Sequence, residues 1–338
     1  MSGSAPRQAH EPGSPSPSAG LAIGDWPRAS RRAHWISSVS GDKHLLAQLD
    51  ERLALFYGER DLSSRSAYQE MLDSQGEESE NPGAVLEALL AYLTSFDPGA
   101  FLEVGCGNGR LYRQLRRCGL SGSYCGVELS GEIIELNRSR NPEAEWLASK
   151  VYSLPFSNGV FDVCFAYYVL EHLVYPERGL LEMLRVLRPG GRLVLVFPDF
   201  SCFRIFPSQF LGLSAGRTAL AKLRSGRVVD AFVSLYDSRI RLPRLLRQAH
   251  RKFGPFPINC RPICLSRPDL MMPDVDAVYV ATKYEVDHWA QARGLVVEYP
   301  AGTQGDFHTN AFIVLRRGKD GGQLEARKAS VEQLGVRR

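Results

Sequence analysis

The sequence predicts a doubly wound α/β fold, a mostly parallel sheet with helices on both faces. Two observations carry this. The stretch Phe101-Leu102-Glu103-Val104-Gly105-Cys106-Gly107-Asn108-Gly109 is an apolar run that ends in an acid and three glycines at alternate positions. Arg110-Leu111-Tyr112-Arg113-Gln114-Leu115 follows at once and opens a helix. Strand, glycine turn and helix make the first unit of such a sheet. The second observation is alternation. Strand patterns fall at 100–105, 123–128, 144–148, 161–167 and 192–198, and helical ones at 109–117, 131–139 and 177–187. That rhythm requires parallel strands joined by crossover helices.

The elements are justified in chain order. Residues 1–40 are rich in Ser, Pro, Ala and Gly without an apolar period and read as disordered, with Trp26 and Trp35 as local docking points. Residues 41–98 form an N-terminal helical extension. Leu45, Leu46, Leu49, Leu53, Leu55 and Phe56 have helical spacing over 42–58, and Val85, Leu86, Leu89, Leu90 and Leu93 share one face over 83–95. Asp97-Pro98-Gly99 is a turn into the first strand. Residues 99–199 hold the strand–helix alternation, and Pro189-Gly190-Gly191 stops the helix before the fifth strand. Residues 200–283 are an insertion. Residues 284–318 resume with a helix from Tyr284 and strand patterns at 295–299 and 311–315, and Val278-Tyr279-Val280-Ala281 reads as a short strand leading in. Residues 319–338 are a polar, flexible tail.

Composition sets bounds. The chain has 338 residues, 44% apolar and 23% charged, with a net charge of +4. That is the profile of a soluble globular protein with one sizeable core. No run approaches the length of a membrane span, and Met1-Ser2-Gly3-Ser4-Ala5-Pro6 lacks the pattern of a secretory leader. The seven cysteines are scattered and odd in number, which suits buried free thiols in a reducing compartment. A cytoplasmic location is expected. Cys260 and Cys264 have no second pair beside them, so no metal site is expected.

The motifs point to chemistry. Tyr124-Cys125-Gly126-Val127-Glu128 ends a second strand in a carboxylate nineteen residues past Gly109, placed to accept from both hydroxyls of a ribose. Further on come Leu154-Pro155-Phe156, Phe161-Asp162, Leu170-Glu171-His172 and Arg185-Val186-Leu187-Arg188-Pro189-Gly190-Gly191. In this order the set resembles the class I S-adenosylmethionine-dependent methyltransferases, in their small-molecule branch, well over residues 99–198 and more loosely over 276–317. The resemblance implies a seven-stranded, Rossmann-like methyltransferase sheet and S-adenosyl-L-methionine as cofactor. It also implies methyl transfer to oxygen, nitrogen or carbon of a small or carrier-bound acceptor, without a metal. A cofactor carrying an activated methyl leaves the protein mainly to position two reactants in line.

By that resemblance the cofactor site comprises Glu103, Gly105, Cys106, Gly107, Asn108, Gly109, Glu128, Leu129, Val151 and Tyr167. Glu103 would sit near the cofactor's ammonium group, the glycines would let its amino-acid part approach the backbone, and Leu129 would press on adenine. One position departs from the family, because Lys150 stands where an acid usually accepts from the adenine amino group, and Lys has donors only. Ser149 or a backbone carbonyl is left for that role. Tyr168 and His308 are the candidates for work on the acceptor, and His172, in the family's LEH motif, reads as structural.

The insertion concentrates positive charge, with fourteen Lys and Arg against five acids over 200–283. Its Arg239–Phe253 stretch separates basic from apolar positions, with a helix beginning at Pro243. This is the pattern of a lid toward an anionic acceptor, a phosphorylated carrier or a membrane surface, or of a solvated lid helix. A nicotinamide oxidoreductase would need glycine at 110, where Arg stands. A nucleic-acid methyltransferase using the basic lid lacks a recognisable RNA-binding module, so nucleic acid is not the expected partner. A non-catalytic cofactor-binding protein is the remaining alternative. Oligomeric state is not legible.

Overall fold

The computed structural model describes residues 35–58, 83–96, 99–202, 218–265, 276–300 and 309–318. It opens with strand β1 (Trp35–Ser37) and helix α1 (Lys43–Gly58). Asp42 starts α1, its Oδ1 accepting from the nitrogens of His44 (2.9 Å) and Leu45 (3.2 Å). Leu46, Leu49, Leu53 and Phe56 then bury one stripe. Helix α2 (Ala84–Thr94) buries Val85, Leu86, Leu89, Leu90 and Leu93, the face its spacing predicts.

The core follows as β2 (Ala100–Val104), α3 (Arg110–Arg117), β3 (Ser123–Glu128), α4 (Gly131–Arg140), β4 (Glu145–Ala148), β5 (Phe161–Tyr167), α5 (Pro176–Arg185) and β6 (Leu187–Pro198). The insertion supplies α6 (Ala219–Arg224), α7 (Val228–Tyr236), a π turn (Asp237–Arg241), α8 (Leu242–Arg251) and strand β7 (Pro257–Asn259). Helix α9 (Lys283–Ala292), β8 (Val296–Glu298) and β9 (Asn310–Arg316) complete the fold. The seven-stranded sheet has the order β4-β3-β2-β5-β6-β9-β8. Its first five strands are parallel, and β9 runs antiparallel to both neighbours.

Alternation along each strand sends side chains to opposite faces. Phe101 packs with α2 and α3 on one side, and Leu102 and Val104 pack with α1 and α5 on the other. Chain order reverses between β2 and β5, where open sheets of this kind bind ligands at their carboxyl ends. Val104 pairs with both Val127 and Ala166, so the ends of β2, β3 and β5 present the glycine loop, Glu128 and Tyr167 along one edge.

Three expectations are corrected. Pro189-Gly190-Gly191 does not end a helix at 187. Helix α5 stops at Arg185, and β6 begins at Leu187 because Val186 O already accepts from the nitrogens of Val160 (2.8 Å) and Phe161 (3.0 Å). The register jumps from Phe161↔Leu187 to Val163↔Arg192, so the Pro-Gly-Gly segment is a bulge inside the strand. The disordered segment expected over 1–40 gives way at Trp35, which pairs with Asn259 of β7 and buries its indole. Segment 278–281 is not a full strand. It is buried and forms one bridge, Tyr279 to Ile258. Residues 1–34, the tail 319–338 and His308 lie outside the described residues.

Candidate active site

The glycine loop is bound down at nearly every step. Gly105 N and Cys106 N donate to Val127 O (2.7 and 3.0 Å), Gly107 N donates to Glu128 Oε2 (3.1 Å), and Asn137 Nδ2 donates to Gly107 O (2.8 Å). Two glycines are required by this path. Gly105 has φ +73°, and a Cβ there would stand 2.4 Å from Cγ2 of Val169. Gly109 has φ +74° at the start of α3, and its Cβ would press on Asn137 and Trp146.

Glu128 is buried and organises the loop. Its Oε1 accepts from Leu129 N (2.7 Å) while Oε2 accepts from Gly107 N (3.1 Å), and the carboxylate lines the cavity described below. Glu103 is also buried and accepts from the Tyr124 hydroxyl. Burial pushes its carboxyl up to about 8, opposed by the Tyr124 hydrogen bond and reinforced by the charge of Glu128.

These residues line a cavity of about 530 Å³, the size of a small-molecule site. Gly105, Cys106, Gly107, Asn108, Glu103, Glu128, Leu129, Val151, Tyr167 and Tyr168 all contribute to its wall, while Gly109 stands behind the loop. The Tyr167 and Tyr168 rings meet edge to face at 4.5 Å. Tyr168 has φ +55°, a strained conformation for a bulky residue, locked by its N–H donating to Val196 O (2.8 Å). Lys150 lines the cavity too. Its charge acts on Asp50 of α1, whose carboxyl is raised by burial and lowered by Lys150, Tyr152 and Arg178. The Ser149 hydroxyl is engaged with the carbonyls of Ser153 (3.0 Å) and Lys150 (3.3 Å).

The opposite wall comes from parts distant in sequence. Leu170–His172 is a 3-10 turn one step past Val169, which packs on Gly105. Glu171 O accepts from Val278 N and Tyr279 N (2.8 Å each), which draws Asp276 against this turn. Asp276 Oδ2 accepts from the Tyr57 hydroxyl of α1 (2.9 Å) and stands 3.5 Å from His172 Nδ1. Glu171 Oε1 lies 3.7 Å from His172 Nε2. Tyr57, Glu171, His172 and Asp276 all line the cavity, with Ala54 and Asp50 one and two turns back along α1. Asp276 is the sole contribution of the 200–283 insertion to this wall among the described residues.

Residues 102–195 match the family model of the methyltransferase domain. This stretch is a methyltransferase domain. The malonyl-[acyl-carrier protein] O-methyltransferase of Hahella chejuensis is 29% identical over 150 residues, 44% of this chain and 54% of that protein. The demethylmenaquinone methyltransferase of Renibacterium salmoninarum is 29% identical over 140 residues, 40% of this chain and 57% of that protein. The chain thus spans about half the length of these relatives. An S-adenosylmethionine-dependent methyltransferase structure from Mesorhizobium loti aligns over 68% of this chain and 96% of its own, at 16% identity and a TM-score of 0.42.

The methyltransferase domain itself contributes the loop, Glu128 and the two tyrosines, all anticipated from sequence. What sequence reasoning passed over lies mostly outside it: Asp50, Tyr57 and Asp276, together with Glu171 and the wall position of His172. One signal was available. Asp50, Ala54 and Tyr57 recur at helical spacing beside the buried stripe of α1, marking a second face that is neither core nor plain surface.

Proposed function

We propose that the protein transfers the methyl group of S-adenosyl-L-methionine to a small or carrier-bound acceptor. The observation that carries this reading is the continuity of one cavity. It runs from the glycine loop and Glu128 to a wall holding a histidine between two carboxylates. Glu128 accepts from the ribose hydroxyls, and the loop from Gly105 to Gly109 holds the amino-acid part with Glu103 near its ammonium. Leu129 and Val151 flank the adenine. The cradle fits such a ligand, because a Cβ at Gly105 has no space and the Glu128 carboxylate lines the cavity beside the loop.

When bound, the cofactor supplies a methyl on a positive sulfur. Held by the Gly105–Gly109 loop, Glu103 and Glu128, it would give up that methyl to a lone pair on the acceptor while the carbon–sulfur electrons left with sulfur. The protein aligns the two, worth several kcal/mol of barrier. His172 takes the proton that a hydroxyl or amine acceptor must lose, with Asp276, steadied by Tyr57, and Glu171 stabilising the imidazolium. Tyr168 bounds the acceptor. His308, the other expected candidate, falls outside the described residues.

The acceptor's charge reads differently inside and outside the cavity. The insertion brings only Asp276 to the cavity among the described residues, so its basic charge acts beyond the cavity. Five buried free thiols suit a reducing, cytoplasmic setting. No described helix is long and apolar enough to cross a membrane. The test is mass spectrometry of extracts incubated with the protein and isotope-labelled S-adenosylmethionine, beside calorimetric titration of the cofactor. A labelled product with one added methyl is expected. Cofactor binding with no labelled product in any extract would favour the non-catalytic alternative.

A further inference from the structure

Helices normally turn their apolar face inward and their polar face to water. Helices α6 and α7 of the insertion depart from this, while α8 keeps Leu242 and Ala249 inward. Eleven large hydrophobic residues are exposed among the described residues, and eight of them lie between 220 and 240. On α7 and the π turn, Val228, Phe232 and Leu235 form one exposed row at helical spacing, with Val229, Tyr236 and Ile240 beside it. Val229 is 74% exposed and Phe232 65%. Leu220 and Leu223 of α6, which packs on α7, extend the patch. The inner side holds Ala231 together with polar groups. Buried Lys222 donates from Nζ to Ser234 Oγ (2.5 Å), and buried Asp237 faces Arg241 (3.8 Å).

Charge identifies what covers this face. Arg224, Arg227, Arg239, Arg244, Arg247 and Arg251 are exposed along the same helices. Over residues 218–252 no acid is exposed, since Asp230 is half-buried and Asp237 buried. An apolar strip edged with uncompensated arginines matches an acyl-chain boundary beneath anionic headgroups. A second copy docking face to face would set this arginine-rich surface against itself, because a two-fold interface pairs each patch with its own image. A nucleic acid would satisfy the arginines but leave Val229 and Phe232 with nothing to gain from phosphate.

We infer that the outer face of α6, α7 and α8 is a docking surface for an anionic lipid bilayer. Val228, Val229, Phe232, Leu235 and Ile240 enter the headgroup boundary while the arginines hold the phosphates. None of these helices lines the methyltransferase cavity, so this inference is independent of the reaction.

Co-sedimentation of the full chain with vesicles tests it. Vesicles of phosphatidylglycerol mixed with phosphatidylcholine should carry the protein down at low salt and release much of it at high salt, and phosphatidylcholine alone should retain little. Val229→Asp with Phe232→Asp, and separately Arg227→Glu with Arg239→Glu, should each weaken binding about tenfold or more. Both variants should keep wild-type S-adenosylmethionine affinity and circular dichroism, which separates lost docking from lost folding. Equal recovery with both vesicle types, or undiminished binding in both variants, overturns the inference. So does a dimer in sedimentation velocity that Val229→Asp with Phe232→Asp converts to monomer, with no vesicle binding by the wild type.

Discussion

Glu128 shows how much one residue reveals. Its place at the end of a second strand marks it in the sequence, and the fold gives it two tasks: to hold Gly107 and Leu129 and to present a carboxylate to the cavity. Glu128→Ala should therefore weaken S-adenosylmethionine by roughly 1.5–3 kcal/mol, the range for losing hydrogen bonds to a charged acceptor. Calorimetry on a folded variant checks this, and unchanged affinity would remove the ribose role. Lys150 is equally visible as a departure from the family, but its partner Asp50 lies a hundred residues away, where no local pattern points to it. His172 was legible as a motif and not as a wall, because the wall depends on Asp276 and Tyr57, which meet it only in three dimensions. His172→Gln should lower kcat about 10²–10⁴-fold with cofactor affinity unchanged. The residual rate should rise with pH as the acceptor sheds its own proton into water. A wild-type kcat in the variant would leave the proton to another group.

At the scale of elements, the strands between Ala100 and Tyr167 lie where apolar alternation and the glycine and Asp-Pro-Gly breaks put them, because those signals are local. The bulge at Pro189-Gly190-Gly191 was misread because turn residues carry the same signature between elements and inside a strand. Strand β1 was hidden for another reason. Three residues beside a Ser- and Pro-rich segment have no period, and their order comes from a partner strand more than two hundred residues later. Trp35 anchors that pairing, and its carbonyl accepts from Arg241 Nη2 (2.5 Å). β7 in turn holds the segment leading from Asp276, since Asn259 N donates to Val278 O (2.7 Å) and Val280 N to Pro257 O (2.9 Å). Trp35→Ala should cost about 3–5 kcal/mol of stability, the usual range for emptying a buried aromatic site. Below its lowered melting temperature the variant should show a raised acceptor KM with cofactor affinity intact, because β2 and β3 hold the glycine loop without β1. A parallel loss of cofactor affinity would mean that the two walls are not held separately.

Over the whole molecule, buried carboxyls at separate places share one direction. Burial pushes Glu103 up to about 8 beneath the glycine loop. It pushes Glu285 up to about 7 in α9, although Phe256 N, the Tyr279 hydroxyl and Gly254 N all donate to that carboxylate. It pushes Asp237 up to about 6 in the insertion, against the nearby Arg241 and Arg261. In each case the folded state holds a proton more tightly than the unfolded chain, whose carboxyls titrate near 4. Their contribution to stability is complete below that value and is lost as pH rises through about 6, 7 and 8 in turn. Glu182 works the other way: the hydrogen bonds from Arg185 hold its carboxyl low, so its contribution is present at neutral pH and disappears in acid. The protein without cofactor should thus be most stable on the acid side of neutrality, between the region where Glu182 protonates and the region where the buried acids ionise. Melting temperatures across pH 4–9 check this, and Glu103→Gln should flatten the fall between about pH 5 and 8 by up to one proton's worth of slope. Saturating S-adenosylmethionine should flatten the same part of the curve in the wild type, because a cation beside Glu103 favours its charged form in the folded state. It should do nothing further to the slope of Glu103→Gln. A wild-type curve that rises steadily from acid to alkaline pH would show that these carboxyls reach water in solution, and an identical slope in Glu103→Gln would place the titration elsewhere.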